Sequence, residues 1–261
     1  MTNLAKSSGT LYRVYGALLM SPVVALVWFD QMAAGLVLAC LGCLMGFEIK
    51  RITGLPFFAG LIVLALITVQ SFPHWMLGLS LTMNVGLTFL VAGLVAAIIV
   101  GISSHRLAGL FVGLLCLCLA SGGLLLSQPS GHIMLVALAA IIAACDSAAY
   151  FVGRRVGGPK LWPRVSPSKT ISGSIGGLVA AMAVTSLVAS VFGFDDLVDA
   201  LIMGLFIGGL SQAGDLMESA VKRQLNVKDS GSILPGHGGM LDRFDGYIFV
   251  VPAVYLYIFG F

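Results

Sequence analysis

Asp242 and Asp245 stand three residues apart in Asp242-Arg243-Phe244-Asp245, and Asp215 precedes them in Gly214-Asp215-Leu216-Met217-Glu218-Ser219. Carboxylates at that spacing share one face if they open a helix, and a third brought against them would gather hard oxygen donors near one point. Such a set suits magnesium, which keeps part of its water shell and is completed by substrate phosphates. For Asp242 alone, helix N-capping is the competing explanation. Ser219, Lys222 and Arg223 follow Asp215 at helical spacing and so can project toward the same phosphates, with Lys228 beyond them. Gly236 to Gly239 enclose His237 and can expose consecutive backbone N–H groups as an anion nest. His237 is either turned toward a phosphate by those glycines or is a turn residue.

A second group lies upstream. Asp146 ends a largely apolar run and is expected near the cytoplasmic membrane boundary, where an ionisable side chain usually faces a cavity and meets cations. Neutralisation by Arg154 or Arg155 is the structural alternative. The loop 153–170 then mixes five cations, Lys169 among them, with turn residues and hydroxyls, a surface suited to anionic headgroups or polyphosphates.

The elements that must position these residues are membrane helices. Of 261 residues, 59% are hydrophobic and only 10% charged, with a mean hydropathy of +1.04, against about 25% charged in an ordinary soluble domain. Apolar runs predict an all-α polytopic protein of about nine spans, near 14–29, 32–47, 54–72, 75–101, 107–127, 133–152, 174–193, 197–213 and 246–261. The first run lacks a small-residue cleavage pattern and is expected to be a retained span rather than a signal peptide. With the N-terminus in the cytoplasm, alternation puts all 14 basic residues on one side, while the opposite loops hold Asp30, Asp195, Asp196 and Asp199. The positive-inside rule then makes the basic side cytoplasmic and the C-terminus external. Residues 1–132 form spans with little charge, and residues 133–261 carry the chemistry, with cytoplasmic loops at 153–173 and 214–245.

Gly173 to Gly177 and Gly204 to Gly208 have the Gly-x-x-x-Gly spacing that lets helices approach closely. The five cysteines lie in apolar runs and show no spacing shared with histidines, so core positions suit them better than metal or disulfide roles. Nothing implies nucleic acid. A secondary transporter would place its site near the midplane and often repeat its halves. Here charge clusters toward one face and no repeat is evident.

The 27 residues 219–245, read as Ser219-x-x-Lys222-Arg223-x-x-x-x-Lys228-Asp229-x-Gly231-x-x-Leu234-Pro235-x-His237-Gly238-Gly239-x-x-Asp242-Arg243-x-Asp245, resemble the signature of the phosphatidate cytidylyltransferases, or CDP-diacylglycerol synthases. Asp146-Ser147-Ala148-Ala149-Tyr150 with Gly153-Arg154, then Ser166-Pro167 with Lys169-Thr170, Gly173 and Gly176-Gly177, resemble that family's second conserved region. Ser168 and Ser172 depart from it, standing where lysine and glutamate are common.

The resemblance implies attack by a phosphate oxygen of phosphatidic acid on the α-phosphorus of CTP, releasing pyrophosphate. It assigns Asp215, Asp242 and Asp245 to magnesium, with a second cation allowed, and makes Asp215, Lys222, Arg223, Asp242 and Asp245 the catalytic set. Asp146, Lys169, Ser219, Lys228, His237 and Arg243 would bind substrate. It places the protein in the inner (plasma) membrane, its site facing the cytoplasm, with CTP, phosphatidic acid and membrane lipid as partners and a homodimer as a plausible assembly. Related enzymes acting on other phosphorylated lipids, an archaeal-type CDP-lipid synthase or a polyprenol kinase, are the nearest alternatives.

Overall fold

A computed structural model describes residues 24–71, 83–193, 196–231 and 239–259. The start of the first expected span, the head of the fourth, His237 with Gly236 and Gly238, and Phe261 lie outside the described residues. Residues 24–29 are helical. Then come α1 (Gln31–Thr53), α2 (Phe57–Ser71), α3 (Met83–Ser103), α4 (Arg106–Leu126) and α5 (Gly131–Val156). A hairpin of β1 (Lys160–Trp162) and β2 (Ser166–Thr170) leads to α6 (Ile171–Val191), α7 (Leu197–Gln224), the single turn α8 (Leu241–Phe244) and α9 (Tyr247–Phe259).

The architecture is helical, and α1, α4, α5, α6 and α7 are long and apolar enough to cross a membrane. Large apolar side chains such as Phe58, Ile102, Phe151 and Val191 point outward, the surface a bilayer would cover.

Element boundaries follow local chemistry. Asp30 caps α1, accepting from the Met32 and Ala33 amides at 3.0 and 3.2 Å, and Gly54 ends it in the left-handed region at φ 61°. Asp196 caps α7 in the same way, and Thr170 caps α6 through the Gly173 amide at 3.1 Å. Both α5 and α7 outrun their predicted spans. The polar residues that suggested an end continue the helix, so Asp146 sits ten residues before the end of α5 and Asp215 to Arg223 all ride on α7. The hairpin is an addition to the all-α expectation: Pro- and Gly-rich sequence between α5 and α6 pairs antiparallel, with Lys160 opposite Thr170 and Trp162 opposite Ser166.

Consecutive helices pack against one another from α1 to α4 and again from α5 to α7, while α9 lies against both α4 and α7 and joins the two groups. One apolar core gathers Met45, Ile49, Phe111 and Leu115 with Val221, Leu241 and Ile248. The other gathers Leu138, Ile142, Ala181 and Ile207 with Val250, Val251 and Val254.

The contacts also sort the two ends. The Gln31 side chain donates to the Leu126 carbonyl, which puts the start of α1 beside the end of α4. Glu48, near the end of α1, meets the segment before α8. Lys50, Arg51, Arg154, Arg155, Lys222 and Arg223 therefore belong to one end, and Asp30 belongs to the other.

The glycine spacing acts at the α5–α6–α7 joints. A Cβ on Gly204 would lie 2.6 Å from Met182 Cα, and one on Gly173 would lie 2.6 Å from the Ala149 carbonyl oxygen. Gly204→Ala should therefore push α6 and α7 apart and destabilise the protein by about 1–3 kcal/mol. A lowered thermal transition in detergent checks this, and an unchanged one would show that the joint has slack.

Candidate active site

The polar face of α7 is the spine of the site. Asp215, Glu218 and Lys222 recur along it at three- and four-residue intervals, the spacing that stacks side chains on one side of a helix. Lys222 Nζ donates to Glu218 Oε2 at 3.0 Å and to Asp242 Oδ1 at 2.6 Å, so one ammonium ties α7 to the start of α8. Asp242 has both oxygens engaged, since Oδ2 also accepts from the Ser230 amide at 3.1 Å and the Gly239 amide at 2.9 Å. Burial alone would push its carboxyl up, yet the hydrogen bonds from Lys222, Gly239 and Ser230 hold it below the usual carboxylate range.

Asp245, at φ −56° and ψ −40°, continues the helical backbone of α8 and so stays on the side that carries Asp242. The chain turns at Asp245-Gly246 between α8 and α9, so that Asp245 accepts from its neighbour Gly246 at 2.7 Å. Its backbone enters against α7 because residue 214 is glycine; any Cβ there would strike the Asp245 carbonyl oxygen. Burial, followed by the negative charge of Asp215 and Glu218, raises the Asp245 carboxyl well above its ordinary value. Glu218 Oε1 is buried with no hydrogen-bond partner, and its carboxyl is one of the groups that raise Asp245.

Lys169, at the end of β2, forms an ion pair with Asp215. The hairpin that delivers it is fastened by Arg223, whose Nε donates to the Val165 carbonyl at 3.3 Å. It is also tied by Ser172, whose hydroxyl donates to the Gly157 carbonyl. Ser172, one of the two departures from the family pattern, thus closes the base of the hairpin. Beneath, Gln212 on α7 and Ser174 on α6 hydrogen-bond to each other twice, once at 3.0 Å from Gln212 Nε2 to the Ser174 carbonyl.

A cavity of about 1000 Å³ opens beside these groups. Of the expected residues it brings together Asp146, Lys169, Asp215, Lys222, Asp242, Arg243 and Asp245, and it adds Tyr150, Arg154, Lys160 and Gln212. Lys228 lies instead with Arg51 on a smaller adjoining cavity of about 390 Å³, and Ser219 and Arg223 line neither. Asp229 lines both. Among the described residues no three histidine, cysteine, aspartate or glutamate side chains form a ready-made cation site. Asp215, Asp242 and Asp245 all line this one cavity, with Asp242 turned toward Lys222 and the amides. Glu48, which no motif marks as a site residue, is 1% exposed and bound to the segment before α8. Glu48 stands just past the expected span 32–47 and beside Lys50 and Arg51, so nothing in the spacing signals its burial.

The sequence pattern of the cytidylyltransferase family matches residues 12–261, nearly the whole chain. The chain belongs to the cytidylyltransferase family. Among curated relatives, a phosphatidate cytidylyltransferase of Brucella suis is 47% identical over 178 residues, covering 66% of this chain and 64% of that protein. That of Bacillus subtilis is 48% identical over 116 residues, covering 44% and 43%. That of Staphylococcus aureus is 46% identical over 115 residues, covering 44% of each. The chain thus aligns with less than two thirds of the length of these relatives.

A carboxyl raised in the folded state binds its proton more tightly than the unfolded chain does. Its contribution is then full at low pH and is lost as pH climbs from the ordinary carboxylate range through the raised value. Without divalent cations the thermal transition should fall across that window, and Asp245→Asn should flatten the fall. Equal slopes for the two proteins would contradict the buried-carboxyl description.

Proposed function

We propose that this cytidylyltransferase-family member transfers the cytidylyl group of CTP to phosphatidic acid, giving CDP-diacylglycerol and pyrophosphate for phospholipid synthesis. The observation that carries the reading is the interleaving of acids and cations around one large cavity at the basic end of an apolar bundle. The nucleophile, a phosphate oxygen, is already an anion, so the protein need not create one. It must align two phosphate compounds that repel each other and offset the charge of the departing pyrophosphate.

The chain's own residues suit those tasks. Lys169, Lys222 and Arg243 present cations to the cavity, with Arg154 and Lys160 at the hairpin side. The ion pairs of Lys169 with Asp215 and of Lys222 with Asp242 hold two ammonium groups in place before substrate arrives, so little ordering remains for binding. Phosphatidic acid would keep its acyl tails in lipid while CTP enters from water, and a cavity at one end of the bundle serves both. Lys228 and Arg51 beside the smaller cavity would contact a phosphate group from the α1 side.

The donor chemistry fits a hard divalent cation. Asp245 is buried near Asp215, Glu218 and Asp146, a concentration of negative charge that holds its carboxyl up. Asp215 and Asp245, with Asp146 facing the same cavity, would hold magnesium, and the crowding of carboxylates leaves room for a second cation. Bound there, the ion would draw charge from the triphosphate and neutralise the leaving pyrophosphate. Asp242, whose oxygens are taken up by Lys222, Ser230 and Gly239, serves in this reading to orient Lys222.

The same reading makes residues 133–261 the catalytic region and sets the basic end in the cytoplasm at the inner membrane. It gives nine crossings, a cytoplasmic N-terminus and an external C-terminus, which a reporter fused at Phe261 tests. A homodimer is the proposed assembly, checked by the mass of the detergent-solubilised protein.

Purified protein supplied with CTP and phosphatidic acid should release pyrophosphate and form CDP-lipid only with magnesium present. Asp215→Asn and Asp245→Asn should each lower that turnover about 100-fold or more while membrane insertion persists. Turnover with a polyprenol acceptor but not with phosphatidic acid would replace this reading with the lipid-kinase one.

A further inference from the structure

Glu48 lies three residues ahead of Arg51 near the end of α1 and is the one acid in that helix. It is 1% exposed, and among the described residues its charge meets no cation within ion-pair distance. Three donors satisfy it instead, all from 182 to 193 residues further along the chain. Oε1 accepts from the Met240 amide at 2.8 Å, while Oε2 accepts from the Leu241 amide at 2.8 Å and from the Ser230 hydroxyl at 3.1 Å. Residue 239 must be glycine to allow this approach, since a Cβ there would lie 2.8 Å from Glu48 Oε1 and collide with Ser230 Oγ.

Ser230 is shared between two carboxylates. Its hydroxyl goes to Glu48 and its amide to Asp242. Asp242 in turn takes the Gly239 amide and Lys222. Glu48 from outside and Asp242 from inside therefore staple the same two backbone stretches, 230–231 and 239–242, and Lys222 hangs from the inner carboxylate into the cavity. Glu48 itself does not line that cavity. A buried carboxylate carries a desolvation cost that an apolar side chain of similar volume avoids, so stability alone gives no reason for an acid here.

We infer that Glu48 is a positioning residue for cytidylyl transfer: it fixes the segment before α8 so that Asp242 holds Lys222 and the following turn presents Asp245. The inference rests on the proposed function for its assay, but the staple itself can be tested without catalysis.

The test uses the full chain in detergent with Glu48→Gln and Ser230→Ala. Glutamine keeps the volume but puts an NH2 group against a backbone N–H. For Glu48→Gln we expect kcat to fall about 10- to 100-fold with KM for CTP within about threefold, the effect of misplacing a group rather than losing a binding contact. The Met240 and Leu241 amides should exchange with solvent about tenfold faster or more. Ser230→Ala should move both readouts in the same direction by less, and the double variant should be no worse than Glu48→Gln by more than about twofold. Wild-type kcat in folded Glu48→Gln protein would overturn the proposal, as would a lowered thermal transition with turnover per folded molecule unchanged. If Glu48→Gln does not fold, Ser230→Ala decides, and unchanged kcat in it overturns the role. If the unsubstituted protein does not turn over CTP with phosphatidic acid, the functional reading fails while amide exchange still judges the staple.

Discussion

Lys222 stands between Glu218 and Asp242, with its ammonium within hydrogen-bond reach of both, and the organisation of the site follows from that placement. Glu218 is 2% exposed, so its charge is removed from water and must be met by protein. A cation held between two carboxylates offsets the desolvation of all three groups better than either pair would alone, because each added partner strengthens the Coulombic gain. It also joins elements that the sequence separates, since Lys222 belongs to α7 and Asp242 to the turn before α9. Lys169 repeats the arrangement at Asp215 and fastens the hairpin to the same helix. Two of the cavity's cations, Lys169 and Lys222, are thus already paired with its acids.

Helix approach is what makes that charge pattern possible. The glycines of α6 and α7 bring their backbones nearly into contact, so that Asp146 on α5, Lys169 ahead of α6 and Asp215 on α7 open onto one space. Gly214 does the same for the Asp245 turn. In lipid no hydrophobic force favours one helix pairing over another. Small residues and a few polar locks, such as Gln212 with Ser174, set the geometry instead. The apolar exterior and the charged end are therefore two parts of one design, in which lipid covers the bundle and the ions organise its rim.

Much of this was legible in the residues. Composition and run length marked the chain as a membrane bundle, Gly-x-x-x-Gly spacing marked the α5–α7 joints, and the acids and cations of 146–245 marked the cavity. Three features were not readable, each for a physical reason. Helix ends were misplaced because polar residues on a long helix look like a break when one face lines a cavity, as on α5 and α7. Asp242 takes a different role from Asp245 because Lys222 and two backbone amides occupy its oxygens, partners on other elements that periodicity cannot show. Glu48 was overlooked because its partners are backbone amides and a serine hydroxyl from distant sequence, and such donors leave no charge pattern to find.

The central claim, that one lysine couples α7 to the turn before α9, is most directly tested by a double-mutant cycle of Lys222→Met and Asp242→Asn, read as thermal unfolding in detergent. The account predicts a coupling energy of about 1–3 kcal/mol between the two positions, the range for contacting charged groups. Additive effects within about 0.5 kcal/mol would mean that the two side chains act independently, and would contradict it.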